Sequence, residues 1–321
     1  MIASPKDALV GSGHADWATM SNLTVPSPRV VKQCVHYVAL HELRNSFPSD
    51  SVYPMGIPTE NCHERIGPGS HSDIGGGYAP GAQGKAIESG KNPVQADDSR
   101  KLSQFYLNEM YEAARQSCRF HMPNVPWLTV DDKQAVANEM EQQFACAPKV
   151  RQAVERYFEY CGVPECASLE LALREHGMRY LAWRYQLRQS DGFTALPSVG
   201  YAWRTDPEGV NYYLMGQDLF NEQVTQIGKN PAGYFHEAPD MLKRMKTMSI
   251  SVELGNFFDW WVHDSYAGFL KPFEGNGPAF KAAEPRGYVH YRVLFQGVDA
   301  EGREVRRNSF LQPAPGSPRA A

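Results

Sequence analysis

A near-continuous run of apolar and β-branched residues, VVKQCVHYVAL, spans residues 30–40. A strand with one solvated face alternates apolar and polar residues, whereas most of this run is apolar. The pattern predicts a strand covered on both faces, as in the parallel sheet of an α/β protein. The strand also needs neighbours along its edges, because an open apolar edge pairs with other chains. Without those neighbours we expect the chain to be poorly soluble or to associate.

Between residues 97 and 190 the apolar residues change to a helical period. Ser168 opens the clearest helical stretch, whose apolar face has these members: Leu169, Leu173, His176, Tyr180, Trp183 and Leu187. Another helix is predicted over about 239–253, and strand-like sequence returns at 257–269 and 287–299. The remaining segments, 41–69, 79–95 and 191–236, are predicted to be loops or irregular.

These patterns divide the chain into four parts. Residues 1–96 and 255–300 contribute strands to a partial α/β sheet, and 97–254 form a mainly helical insertion between them. Residues 301–321 are a tail, whose last residues, QPAPGSPRAA, have the composition of a disordered segment.

The segment GPGSHSDIGGGYAP (67–80) places a histidine and an aspartate two residues apart, just before three glycines. Glycines at these positions permit backbone conformations that other residues avoid, and they allow neighbouring groups to approach closely. Asp73, held in such a turn after a strand, is well placed to orient a histidine from elsewhere. The alternative is a glycine-rich turn in which Asp73 only caps the next segment.

A second candidate is His263 in WWVHDSYAGF (260–269), where it follows two tryptophans and precedes Asp264. We predict that it ends a hydrophobic strand, where partial burial and a carboxylate neighbour suit an imidazole to proton transfer. The alternative is a histidine packed in the core beside the tryptophans. The acid precedes the histidine in α/β-hydrolases, as Asp73 precedes His263 here. We therefore expect the two side chains to meet at hydrogen-bond distance.

Three segments together resemble the α/β-hydrolase domain of type VI secretion phospholipase effectors: CVHYVALHELRNSF (34–47), PGSHSDIGGGY (68–78) and VHDSYAGF (262–269). The resemblance is strong over 26–80 and 257–297 and weak over 97–250, where such proteins carry variable helical insertions. It implies a partial α/β-hydrolase-like sheet. Glu42 and Arg44 stand where the family tends to have charged residues, and no chemistry is assigned to them.

By that resemblance Asp73 is the triad acid and His263 the triad base, supported in the acid loop by these residues: His71, Gly75, Gly76 and Gly77. The implied function is that of an antibacterial phospholipase or lipase, which cleaves membrane lipid esters through an acyl-enzyme and without a cofactor. The implied partners are a phospholipid membrane surface, an immunity protein and secretion spike proteins. The implied location is the cytoplasm of the producing cell, followed by secretion without a signal peptide into target cells.

The nucleophile of such an enzyme is not found in the chain. A lipase carries its serine on a strand-to-helix turn read as G-x-S-x-G, and the next backbone N–H contributes to the oxyanion hole. That pattern occurs nowhere in the 321 residues, and Ser70 and Ser72 belong to the acid loop. We therefore expect that the sequence starts late and the serine lies upstream, that another chain supplies that half, or that the protein has degenerated. The alternative function is a non-catalytic fragment with a binding surface for lipid or for an immunity protein.

Composition excludes other classes of protein. The formal net charge is -4 and basic residues form no long run, so nucleic acid is not an expected partner. No stretch approaches the roughly 20 apolar residues of a membrane-spanning helix, and Met1 is not followed by the pattern of a Sec-type signal peptide. The six cysteines predict mostly buried thiols in a reducing compartment.

Two further clusters have alternatives of their own. A zinc site built from Cys62, His63, His71 and Asp73 would lack the paired spacing of zinc motifs, so no metal is expected. An aromatic and basic set within 174–213 suits either a membrane interface or a helix packed on a core. Its members are Arg174, Arg179, Trp183, Arg184, Trp203, Arg204, Tyr212 and Tyr213.

Overall fold

The computed structural model describes residues 25–44, 47–118, 130–162, 168–188, 192–231, 236–267, 287–298 and 304–307. Its strands are β1 (Cys34–Ala39), β2 (Ser49–Asp50), β3 (Cys62–Gly67), β4 (Ile87–Glu88), β5 (Gln95–Ala96), β6 (Leu294–Val298) and β7 (Glu304–Arg307). Its α-helices are α1 (His71–Gly75), α2 (Ser103–Cys118), α3 (Val130–Gln143), α4 (Pro148–Cys161), α5 (Leu169–Gln186), α6 (Pro197–Thr205), α7 (Gly209–Lys229), α8 (Ala238–Thr247) and α9 (Val252–Trp261). Short 3-10 turns lie at Pro54–Gly56, Ala82–Gly84 and Asp98–Arg100.

The strand predicted in 30–40 is present as β1, which pairs in parallel with β3 from Cys34↔Cys62 to Ala39↔Gly67. The loop prediction for 41–69 is wrong for β3. This strand reads CHERIG. Its charged side chains interrupt any apolar alternation, so only its pairing with β1 identifies it as a strand. In a separate sheet β2 pairs in parallel with β6, and β6 pairs antiparallel with β7.

β1 is less buried than the sequence predicted, because only Val38 and Ala39 of the strand are fully buried and Val30 of the predicted run is 73% exposed. On one face Tyr37 lies edge-on to Tyr106 of α2, with ring centroids 6.0 Å apart. On the other face Val38 enters the largest cluster of buried side chains, which also contains Tyr157 of α4, Met178 of α5 and Phe258 of α9. The end of the strand nearest the acid loop is therefore its buried part.

The helices predicted within 97–190 are confirmed as α2 to α5, and the Ser168 side chain caps α5 by accepting a hydrogen bond from Leu171 N at 3.2 Å. The prediction that 191–236 is irregular is wrong, because α6 and α7 occupy most of it. Its aromatic residues have weak intrinsic helix propensity, and burial of the helix face overrides that preference.

The single helix predicted over about 239–253 is two helices, α8 and α9, and the strand predicted at 257–269 is wrong. Ser251 caps α9 through Leu254 N at 3.2 Å, and Leu254, Phe257 and Phe258 are buried on one helical face. Of the strand predicted at 287–299, only β6 forms. The described chain is a mixed helix and sheet fold, in which none of the helices is long and apolar enough to span a bilayer.

Candidate active site

Asp73 lies on α1, directly after β3, and its carboxylate is buried. Ser70 donates to Asp73 Oδ2 twice, from its backbone N at 2.8 Å and from its Oγ at 2.9 Å. The glycines that follow have distinct roles. Gly76 ends α1 with φ 86, and a Cβ on Gly77 would lie 2.7 Å from Ser72 Oγ. The acid loop thus holds its carboxylate in one position, from which Oδ1 remains available to another group.

That group is His263, as the sequence predicted. His263 Nδ1 lies 2.6 Å from Asp73 Oδ1, and His263 N donates to Asp73 Oδ2 at 3.0 Å. Because a carboxylate only accepts, Nδ1 carries the proton. The Tyr78 ring stacks on the imidazole with centroids 3.8 Å apart and an interplanar angle of 12°. The acid therefore fixes both the tautomer and the rotation of the ring.

His263 does not end a strand but lies two residues after Trp261, the last residue of α9, and it is 6% exposed. The two preceding tryptophans belong to that helix, because the apolar residues of 252–261 recur at helical spacing. The other proposed support, His71, is exposed at the start of α1, with its ring 5.1 Å from that of Phe47. His71 touches the site through its backbone N, which donates to Glu42 Oε2 at 3.1 Å.

The second ring nitrogen of His263 faces the carbonyl of Ala82, with Nε2 to O at 3.1 Å. A carbonyl only accepts, so this contact is a hydrogen bond only when Nε2 carries a proton. A general base needs a free lone pair at Nε2. The Ala82 carbonyl occupies the side of Nε2 on which a base would meet a hydroxyl, so it must move before a hydroxyl can bind there.

Gln83 holds Ala82 in that place. Its side chain donates to Asp264 O at 2.9 Å and accepts from Asp264 N at 2.8 Å, so it pairs with the residue next to His263 on both sides. Gln83 N also donates to Asp206 Oδ2 at 3.0 Å. With φ 49, Gln83 adopts a left-handed backbone conformation that the side-chain bonds stabilise.

Glu42, to which sequence assigned no chemistry, braces the acid loop. Its carboxylate accepts from Arg44 Nε at 2.9 Å and Nη2 at 2.8 Å, from Ser265 Oγ at 2.8 Å and from His71 N. Burial raises the pKa of Glu42. The charges of Arg44 and Arg292 and the hydrogen bonds lower it by more, so the pKa falls to about 2. A permanently ionised carboxylate therefore joins the carboxyl end of β1 to both candidate segments.

His41 makes a second connection from β1 to the acid loop. Gly69 N donates to His41 Nδ1 at 2.9 Å, so the proton is on Nε2, which meets Tyr157 OH at 3.0 Å. Tyr157 OH in turn meets His176 Nδ1 at 2.8 Å. Burial lowers the pKa of both histidines, in His176 to about 4, which keeps this chain of bonds neutral. Sequence placed His176 on an apolar helical face but gave no sign of this link.

The membrane-interface reading of the aromatic and basic set is wrong for its central members. Arg184 is 0% exposed and donates to Asp264 Oδ2 at 2.7 Å, while Trp183 and Tyr213 are buried. Trp203 remains on the surface. Two members of the zinc alternative, Cys62 and His63, are neighbours on β3, and their side chains point to opposite faces of the strand.

Three serines of this region donate their hydroxyls to carboxylates. Ser70 Oγ donates to Asp73, Ser265 Oγ donates to Glu42, and Ser198 Oγ donates to Asp259 Oδ1. In the described part of the chain, the atom facing His263 Nε2 is thus a carbonyl oxygen rather than a hydroxyl. Asp73 and His263 thus meet, and among the described residues no serine hydroxyl bonds to His263 Nε2.

No family model matches the sequence, and no curated protein matches it. A crystal structure of an uncharacterized protein from Pseudomonas aeruginosa superposes with a TM-score of 0.61 at 20% sequence identity. The two share a fold. The similarity covers 88% of this chain and 48% of the other, so this chain spans about half the length of that protein. At this identity the similarity carries no statement about activity.

Proposed function

We propose that this chain supplies the acid and the base of a serine-dependent ester hydrolase that acts on phospholipids, and that other polypeptide supplies the serine. The observation that carries the proposal is the Asp73 carboxylate, which binds both the Nδ1 and the backbone N of His263. In this chemistry the carboxylate stabilises the imidazolium that forms when the histidine takes the serine proton. The proposal also rests on the resemblance of the acid loop and of 262–269 to type VI secretion phospholipase effectors, with an α/β-hydrolase-like sheet.

The bond between His263 Nε2 and the Ala82 carbonyl favours a second candidate, a non-catalytic protein in which Asp73 and His263 are a structural ion pair. In that case the buried pair serves only to join α1 to the segment that follows α9. In the catalytic case the carbonyl occupies the position that a serine hydroxyl takes in the complete site, and it moves when the serine arrives.

Hydrolysis of 4-nitrophenyl butyrate and of phosphatidylglycerol vesicles tests the proposal. Alone, the chain should show no turnover above that of His263→Ala, because the oxyanion donors and the nucleophile are both missing. Co-expression with the polypeptide encoded directly upstream of Met1 should give hydrolysis that Asp73→Ala or His263→Ala abolishes. His236→Ala should leave hydrolysis unchanged, because the His236 side chain is 70% exposed and pairs with Glu237 rather than with Asp73.

Each other result contradicts part of the proposal. A complex that forms without hydrolysing either substrate favours the non-catalytic candidate. Hydrolysis by the chain alone, with fluorophosphonate labelling, places the nucleophile within these 321 residues and directs attention to Ser70 or Ser72.

A further inference from the structure

A cleft separates the facing sides of α4 and α9, and neither Asp73 nor His263 lines it. It consists of two cavities, of about 310 and 250 Å³, which share Lys149, Trp260 and Trp261. The other residues of the larger cavity recur at helical spacing, so each helix turns one face towards it. They are Gln152, Ala153, Arg156 and Tyr160 on α4, and Glu253, Asn256 and Phe257 on α9.

The two helices run in opposite directions along the cleft. Lys149 and Val150 belong to the first turn of α4, and both line the smaller cavity. Trp260 and Trp261, which line the same cavity, belong to the last turn of α9. Glu253 lines only the larger cavity, and at a rise of 1.5 Å per residue it lies roughly 10 Å along the helix from Trp260. The end with both indoles is therefore lined by Lys149 and by no carboxylate of the described residues.

The positive charge of the cleft is only partly neutralised. Arg100 lines the smaller cavity, but its guanidinium donates to two carboxylates, at 2.6 and 2.8 Å. Lys149 and Arg156 are exposed, and neither forms an ion pair with a carboxylate in the described ranges of the chain. Glu253 is the acidic residue of the larger cavity. Cations thus exceed carboxylates in the cleft, and Lys149 is the unmatched charge at the tryptophan end.

The apolar floor of the cleft is fixed from behind. Trp260 is half-buried, and its ring centroid lies 5.8 Å from that of Tyr201 on α6. Trp261 is also half-buried, and it packs against two clusters of buried side chains. Ordered indoles offer apolar surface to a ligand without the entropic cost of ordering them on binding.

We propose that this cleft binds a small single-chain amphiphile with an anionic head group, whose charge lies at Lys149 and whose apolar chain covers Trp260 and Trp261. Pockets for small ligands are mostly apolar, with a few polar groups that fix the orientation, and they enclose about 300 Å³ or more. Aromatic faces also attract cations, but a cation at this end would lie beside Lys149 without a carboxylate to bind it. The cleft is separate from Asp73 and His263, so the proposal does not depend on the proposed chemistry.

Isothermal titration calorimetry of the full chain with three ligands of matched chain tests the choice of charge. Octanoate is the anion, octanol is the neutral analogue and octyltrimethylammonium is the cation. Octanoate should bind at least about tenfold more tightly than either of the others, because one hydrogen bond to a charged group contributes roughly that factor.

Substitutions locate the site. Lys149→Met keeps the apolar stem and removes the charge, so it should weaken octanoate binding about tenfold and leave octanol binding unchanged. Lys243→Met is the matched control, because Lys243 is exposed on α8 and lines neither cavity. Trp260→Leu should weaken the binding of octanoate and of octanol alike. Trp203→Leu, on the surface of α6, should weaken neither.

Three outcomes overturn the inference. They are the absence of octanoate binding, binding of octyltrimethylammonium that equals or exceeds that of octanoate, and equal effects of Lys149→Met and Lys243→Met. A chain that binds phosphatidylglycerol vesicles but not dissolved octanoate belongs to the first outcome, since its contact is with a bilayer surface. If Trp260→Leu does not fold, the two lysine variants still decide, because both side chains are exposed.

Discussion

The buried ion pair beside His263 allows one stability effect to be estimated in advance. Arg184 and Asp264 are both fully buried at the side chain, 2.7 Å apart, and Tyr288 OH donates to the same carboxylate oxygen at 3.0 Å. Burial lowers the pKa of Arg184, but Asp264 raises it well above its ordinary value, so the guanidinium stays charged. Asp264→Ala leaves that charge without its counterion in the core.

Breaking a buried pair in this way costs about 3–5 kcal/mol, most of it from the uncompensated charge. With an unfolding entropy of about 2.1 cal/mol/K per residue, a loss of about 4 kcal/mol lowers Tm by about 6 °C for a chain of this length. Urea unfolding followed by tryptophan fluorescence measures the free energy, and calorimetry measures Tm. Asp98→Ala is the matched control, because its bridge to Lys101 spans 2.6 Å but Asp98 is 66% exposed. That change should cost below about 1 kcal/mol.

The double variant Arg184→Met/Asp264→Leu separates charge from packing. It removes both ions, so it should be more stable than Asp264→Ala, although the Tyr288 hydroxyl loses its acceptor in both. The reasoning is refuted if Asp264→Ala is no more destabilising than Asp98→Ala, or if the double variant is the less stable of the two buried variants.

Two further predictions concern the loop that covers His263 and the buried histidines. Gly84→Ala should destabilise the chain by clearly more than the roughly 1 kcal/mol expected for Gly90→Ala. Both glycines have positive φ, but only at Gly84 would a Cβ meet a backbone oxygen, Ser198 O, at 1.9 Å. Equal urea midpoints for the two variants would contradict this. The pKa of His176 is lowered from 6.5 to about 4 by burial and by Arg179, so its neutral form stabilises the fold fully above pH 6.5 and that contribution is lost as pH falls towards 4. Unfolding free energies at pH 7 and pH 4 should differ through this group by on the order of 3 kcal/mol, and His176→Gln should reduce the difference whereas His236→Gln should not.

Sequence anticipated the elements whose signal is local. The run at 30–40 indicated a strand, and Ser168 with the apolar spacing after it indicated a helix, because side-chain period and capping depend only on near neighbours. The order of Asp73 and His263 indicated a shared site, and their atoms lie 2.6 Å apart. The roles of acid and base stay predictions.

Tertiary structure decided what depends on distant partners. β3 is a strand because β1 pairs with it, and 257–261 is helical because Phe257 and Phe258 pack in a core built by six other elements. No pattern in the sequence indicates that Ala82 O would meet His263 Nε2, a contact across 181 positions set by Gln83 and Asp264. Periodicity reports which face of an element is buried, whereas hydrogen bonds between loops depend on where separate elements come to rest.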